Sequence, residues 1–547
     1  MTTRIDPKHA QFAPAHRTAT SARDDRPIAF LVSTTPCGRK ISEHLGSPAY
    51  SYHFVAEALA PAFRAVGDYR PVDHPESRLA LAARSAEAEG FRPIHVAINP
   101  LQDVYLSPNL PNLVFPFWEF PRIPDRDFGL DTRQNWARIA RGASLVLCAC
   151  RLTADAFRNA NVNAPACVVP IPVLPSSFDL PDWDPRHSWT LTCRHEVLGA
   201  GTDDVDRENP IPCATDSQQP VPDRPDRVWR TARRLFRGAM PWLNPRIVAR
   251  LTLLKRGLVA ARGKHPARLA YDFVRDAYRR NLQRWLSPYA LARITNARNR
   301  ALTLVGRSPR DVVDPPLPSG SLTLGGDGGP VYLTIFNVGD ERKNHAEILS
   351  AFLLAFRDRA DATLVIKLVT NRLREHHEAG LLRATYRAMG IAHRCRVVVV
   401  TEFLSEEQMQ ALYRVSSFYV NASFAEGACL PLMRALAGGR PAIAPDHSAM
   451  ADYIDDTLAF VLRSSPEPIH WPHDPEKRLT TMRSRPLWSD LRDAFLASAI
   501  VAGDPPRYAT MSRAGRARMA RYASEDAAIE ALREAIALLP NAEVCLE

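Results

Sequence analysis

Short apolar runs alternate with segments of helical period along two stretches of this chain. In the first, IAFLVS (28–33), IHVAIN (94–99), NLVFPF (112–117), SLVLCA (144–149) and ACVVPIPV (166–173) read as strands, with a helix over about 49–64. The second opens at VYLTIF (331–336) and continues with a helix over 345–357, the strand ATLVIKL (362–368) and a helix over about 373–388. RVVVV (396–400), a helix over 405–414, SFYVNAS (417–423), a further helix and PAIAP (441–445) follow. Strands that are apolar throughout, rather than alternately, are covered on both faces. With helices between them they predict parallel, doubly wound α/β sheets. Two such domains facing a cleft are predicted, one over 27–175 and one over 328–504, with ligands at the carboxyl ends of the strands.

Between the two series the pattern changes. Residues 176–226 are rich in Pro, Asp and Ser, as in PDWDPRH and QQPVPDRPDR, and read as a linker. Ile247, Leu251, Leu254 and Leu258 recur at helical spacing, as do Tyr271, Val274, Tyr278, Leu282 and Trp285. The stretch 176–327 thus reads as a linker plus a helical insertion. Residues 505–547 read as an alanine-rich helical tail, and the polar residues 1–26 as a disordered one.

Charge sharpens the picture of the insertion. From Arg227 to Arg310 there are 21 Lys and Arg against two acids, Asp272 and Asp276. That segment is net +19 in a chain of net +11, so the remainder is net −8. Its apolar stripes beside dense Arg suit an anionic membrane surface. Packing on the two domains with solvated Arg heads is the alternative. No nucleic-acid module is recognisable there, so a nucleic-acid partner is not expected. The nine cysteines are scattered and odd in number, with no CxxC pair, which favours buried thiols in a reduced compartment. No apolar run is long enough to span a bilayer, and no apolar leader opens the chain. A cytoplasmic protein is expected, peripheral at the inner face of the membrane where the basic segment lies on lipid rather than packing on the domains.

The stretch with the most chemistry is NASFAEGACLPLMRALAGGRPAIAP, from Asn421 to Pro445. It reads as a strand end, a loop carrying Glu426 and Gly427, a helix and a second strand. A helix N-terminus attracts a diphosphate, and glycine permits close approach. The carboxylate can accept hydrogen bonds from sugar hydroxyls. Lys343 and Arg342 stand in FNVGDERKNHAEILSAF (336–352), after the first strand of the second domain. Lys367 ends the strand ATLVIKL, where it suits a phosphate or ribose contact; a lysine snorkelling from a strand end is the alternative.

These blocks together resemble the donor site of bacterial family-4-type glycosyltransferases, which are retaining and have the GT-B fold. The resemblance implies a nucleoside-diphosphate sugar as donor, a glycan or lipid-linked acceptor and no cofactor or metal. It implies that Lys343 binds the diphosphate, with Arg342 in place of an arginine that relatives carry at the position of Val338. It places Glu426 near the donor sugar and Gly427, Ala428, Cys429, Leu430 and Asn421 in the donor-binding set. Relatives carry a second glutamate eight residues after the first, which binds the ribose. Here that position is Arg434, a pure donor that cannot accept from hydroxyls. A phosphate, a base carbonyl or another carboxylate is its expected partner. The substitution leaves a degenerate binding or scaffold protein as the alternative function. In the first domain, FPFWEFPRIPDRDF (115–128) resembles a "WE…P" segment of some members. Trp118 and Glu119 are then acceptor-side candidates, an aromatic platform beside a carboxylate. Gly46, in the loop HLGSPAYSYHF, is a third.

Overall fold

The computed structural model describes residues 25–34, 48–127, 132–198, 319–370, 375–471, 474, 477 and 479–539. Gly46, the basic segment 227–310 and nearly all of the tail read over 1–26 lie outside the described residues.

The first sheet contains β1 (Ile28–Thr34), β2 (Asp68–Pro71), β3 (Arg92–Ile98), β4 (Asn112–Val114), β5 (Leu145–Cys148) and β6 (Ala166–Val168). Its order is β2-β1-β3-β4-β5-β6 and every pairing is parallel. Helices α1 (Pro48–Val66), α2 (Pro75–Ala88), α3 (Trp136–Ala140) and α4 (Arg151–Asn159) lie between these strands in sequence. Side chains alternate between two cores. Phe30, Ile94, Leu113 and Leu145 face one, while Ala97, Val114 and Val146 face the other. Covering both faces is what allows strands this apolar.

The second sheet runs β14-β13-β12-β9-β10-β11-β7-β8. The added strands are β7 (Ser188–Leu198) and β8 (Ser319–Gly325). The parallel core is β9 (Val331–Phe336), β10 (Thr363–Leu368), β11 (Arg396–Val400), β12 (Phe418–Val420), β13 (Ala442–Pro445) and β14 (Ala459–Leu462). Helices α5 (His345–Ala355), α6 (Glu375–Met389), α7 (Glu406–Val415) and α8 (Leu430–Ala437) alternate with these strands. Two α/β sheets with parallel, helix-covered cores are the doubly wound architecture expected from the sequence.

One expectation about the middle of the chain needs correction. Residues 188–198 and 319–325 are not linker: β7 pairs antiparallel with β11, and β8 with β7. Buried Leu191, Cys193, Leu322 and Leu324 join the second sheet's core. The C-terminal helices pack on the rest of the chain. Among α9 (Trp488–Ala502), α10 (Pro505–Tyr522) and α11 (Glu525–Ala537), the last buries Ala528, Leu532 and Ala535 against Phe30, Val55 and Phe63 of the first sheet's side.

A two-stranded hairpin, β15 (Ser464–His470) with β16 (Thr480–Pro486), leaves the second sheet after β14. Trp471, just beyond β15, reaches the core of the first sheet beside Trp118.

Candidate functional site

The strand order of the second sheet reverses at β9: β10 lies on one side and β12 on the other. Loops leaving neighbouring strands in opposite directions open a crevice at such a point. The loop after β9 carries Asp340-Glu341-Arg342-Lys343. Asp340 caps the short 3-10 turn Glu341–Lys343, its carboxylate accepting from the Arg342 backbone N–H at 3.2 Å. It also holds the Arg342 guanidinium, at 2.7 Å from Nη2 and 3.1 Å from Nε. The loop after β12 is tied to this one: Phe424 N donates to Arg342 O at 2.8 Å, and Arg342 Nη1 donates to Ala425 O at 3.0 Å.

That tie brings Lys343 Nζ to 2.6 Å from Glu426 Oε1. Glu426 is fixed from behind as well. Its backbone N donates to Ser448 Oγ at 3.0 Å and its carbonyl accepts from Ala449 N at 3.1 Å. Asn421 Nδ2 lies 2.8 Å from Cys429 Sγ and 3.4 Å from Glu426 Oε1. The first sheet contributes Glu119, whose Oε1 is 3.1 Å from Arg342 Nη1. Arg342, Lys343, Glu426, Asn421, Cys429 and Glu119 are therefore brought together.

Their charges are coupled. Burial pushes the Glu426 carboxyl up, but Lys343 and Arg342 outweigh it and hold the group below its usual range. Burial likewise opposes the Lys343 charge, and Glu426 more than restores it. Asp340 is also held low against its burial, by Arg342 and Lys343. Glu119 differs. Burial raises it, Arg342 gives part of that back, and Asp340 and Glu426 push it up again, so the net shift is upward.

Other sequence candidates land elsewhere. Trp118 does not offer a face to a cleft: it is 2% exposed and packs on Phe120, Trp136 and Trp471. Its indole N–H donates to Arg122 O at 2.9 Å. The aromatic platform expected there is a core residue, because β15–β16 brings Trp471 over it. Gly427 does not open the helix. Helix α8 starts at Leu430, and its N-cap Cys429 has φ 63° with no side-chain cap. A Cβ on Gly427 would sit 3.5 Å from Trp118 O, so the first sheet's backbone lines that side of the loop. Ala428 and Leu430 pack towards the first sheet's core. Lys367 is buried at the end of β10 and donates to Leu368 O at 2.6 Å. Its charged neighbours are Glu402 and Arg194, not Glu426. Val338 is a buried core residue.

Arg434 turns away from Glu426. It ion-pairs with Glu406 at the start of α7, and its guanidinium lies over the Tyr413 ring, 5.2 Å from the centroid. Of the partners expected for it, the structure provides a carboxylate.

Sequence reasoning missed Asp340, Ser448 and His447. Asp340 was legible as an N-cap aspartate before a short helical turn. Ser448 was not: it has φ 53°, and serine does not advertise the left-handed region. His447 adjoins it after β13, with Nδ1 3.3 Å from Ser448 Oγ and Nε2 buried without a hydrogen-bond partner among the described residues. Burial pushes the His447 imidazole down to about 4, against the pull of Asp446 and Glu426.

No curated protein matches this sequence. Several solved structures are distantly similar. HepE of Anabaena, in complex with UDP and glucose, has a TM-score of 0.44 at 9% identity, covering 93% of this chain and 99% of that one. Sucrose-phosphate synthase from Thermosynechococcus elongatus has a TM-score of 0.45 at 12% identity, covering 94% and 99%. A glycosyltransferase from Rickettsia africae has a TM-score of 0.43 at 9% identity, covering 95% and 100%. Within the chain, residues 329–469, which hold Arg342, Lys343, Glu426 and Arg434, match the family model described as glycosyl transferases group 1.

Proposed function

We propose that this protein is a retaining glycosyltransferase that moves a sugar from a nucleoside-diphosphate sugar to a glycan or lipid-linked acceptor. The observation that carries the reading is the meeting of Arg342, Lys343 and Glu426 at the strand-order reversal of the second sheet. The family match over 329–469 covers the same residues.

In this reading Arg342 and Lys343 receive the diphosphate. Their charge, fixed in a buried loop, stabilises the negative charge that grows on the leaving phosphate as the glycosidic bond breaks. No metal is called on for that task. Glu426, placed beside Lys343, orients the sugar through its hydroxyls. The acceptor hydroxyl attacks from the face the diphosphate leaves, and its proton passes to the leaving phosphate. Glu119 enters from the acceptor side through Arg342.

A panel of nucleoside diphosphates and nucleotide sugars, screened by thermal shift and then for nucleoside-diphosphate release, tests this. A ligand bound only by the folded state raises Tm. At least one nucleotide sugar is expected to stabilise the protein and to be turned over. Glu426→Gln is expected to keep nucleoside-diphosphate binding and lose turnover. Stabilisation without turnover by the wild type favours a binding protein, the reading that Arg434 on its own suggests. No stabilisation by any member of the panel removes the reading.

A further inference from the structure

Three carboxylates, Glu119, Asp340 and Glu426, surround two cations, Arg342 and Lys343. Each cation is already paired. A diphosphate therefore enters a cluster whose formal charge is negative, and one carboxylate has to give up its partner. The three acids are not equivalent. Asp340 is three-fold bound to its own turn and held low in pKa. Glu426 is held low by Lys343 and fixed through Ser448 and Ala449. Glu119 makes one ion pair among the described residues, to Arg342, and comes from the other sheet.

We propose that Glu119 is a built-in competitor for the diphosphate: its carboxylate occupies Arg342 in the free protein, and a bound diphosphate displaces it. This rests on the reading of Arg342 and Lys343 as the diphosphate site. Glu119 then sets how tightly the site holds a diphosphate, and its return to Arg342 helps the spent nucleoside diphosphate to leave.

The groups facing Glu119 fix the sign of the pH dependence. They are Arg342, Lys343 and Asp340 from the loop after β9, Glu426 from the loop after β12, and the phenol of Tyr52 on α1. Burial, with Asp340 and Glu426, already raises the Glu119 carboxyl. Losing Arg342 to a diphosphate, itself anionic, raises it further. The displaced group takes up a proton, so diphosphate affinity rises as pH falls, and the part due to Glu119 vanishes when the residue cannot ionise.

Inorganic pyrophosphate is the probe, because neither base nor sugar enters the argument. Calorimetric titration of the full chain is run with wild type, Glu119→Gln and Glu119→Asp between about pH 5 and pH 8. Glu119→Gln is expected to bind pyrophosphate roughly tenfold more tightly than wild type at the alkaline end, with the gap closing at the acid end. Glu119→Asp keeps the charge but loses reach to Arg342. It is expected to bind more tightly than wild type and to retain a pH dependence, which keeps the test decisive should the glutamine variant not fold. Equal or weaker binding by both variants overturns the proposal, as does a gap that does not change with pH. Absence of pyrophosphate binding in all three proteins overturns the diphosphate site itself, and the competitor with it.

Discussion

Lys343 and Lys367 stand at the carboxyl ends of neighbouring strands, and they end in opposite electrostatic states. Lys343, in the loop after β9, meets the Glu426 carboxylate at 2.6 Å, and its pKa is raised in spite of burial. Lys367, at the end of β10, meets a backbone carbonyl at the same distance. It is 7% exposed, and burial pushes its ammonium down to about 8, more than Glu402 and Cys193 pull it up. The sequence offers each as a lysine beside an apolar strand. What separates them is whether a second loop brings a carboxylate into contact: Glu426 meets Lys343, whereas Glu402, near Lys367, pairs with Arg194. Such a lysine becomes a firmly charged partner only when the chain folds an acid onto it.

The largest effect is expected on removing one half of the charged pair. Lys343→Ala leaves the buried Glu426 carboxylate without its ion-pair partner, a loss of up to about 3–5 kcal/mol of stability. Urea unfolding measures it, and Lys343→Ala combined with Glu426→Gln should recover much of the loss. A single variant as stable as wild type would mean that the pair is no tighter than Lys367's carbonyl contact.

The other lysine should respond in the opposite direction. With a folded pKa of about 8 against 10.5 unfolded, the native state binds fewer protons than the unfolded state between those values. Stability therefore rises with pH across that window, and below it the buried charge costs roughly 3 kcal/mol. Lys367→Met is expected to be more stable than wild type near neutral pH by about 1–3 kcal/mol, and to lack the alkaline gain. Unfolding curves from about pH 7 to pH 10 report it. A Lys367→Met variant that loses stability at neutral pH would erase the contrast between the lysines.

The smallest effect concerns a pair near the surface. Arg434 and Glu406 are expected to couple by about 0.5–1 kcal/mol in a double-mutant cycle, because Glu406 is about half exposed. Arg434→Glu places like charges together and should lose a similar amount. Its effect on nucleoside-diphosphate affinity is the sharper reading. A gain would show that a carboxylate at 434 can still reach a ribose, and a loss that Arg434 supports the site through Glu406. Unchanged affinity would show that the position does not touch the nucleotide.

The parallel strands were legible because they are apolar on both faces, and the second series was read nearly element by element. β7 was not. Its half-exposed alternation, as in Thr190-Leu191-Thr192-Cys193, follows a Pro- and Asp-rich stretch whose composition dominated the reading. The polar strand β2 (Asp68–Pro71) escaped because none of its four residues is fully buried and the strand carries no apolar run. At the site, Lys343 and Glu426 could be nominated singly, but their contact depends on strand order, which no local pattern encodes. Trp118 shows the limit from the other side. Its neighbours in sequence made it look like a platform, and Trp471, more than three hundred residues away, makes it a core residue. The partner of Arg434 lies on another helix, out of reach of any reading of the motif alone.

The seat of α11 on the first sheet has a consequence for synthesis. β1 leaves the ribosome long before α11 does. Yet Phe30, Val55 and Phe63 wait for Ala528, Leu532 and Ala535 before that side of their core is complete. The first sheet, begun before the second, is thus completed after it. Until residues 525–537 emerge, a patch of its apolar interior is open to chaperones or to a neighbouring nascent chain. A transcript cut short before that helix would yield a second sheet with its strands entire beside a first sheet that lacks its closing piece.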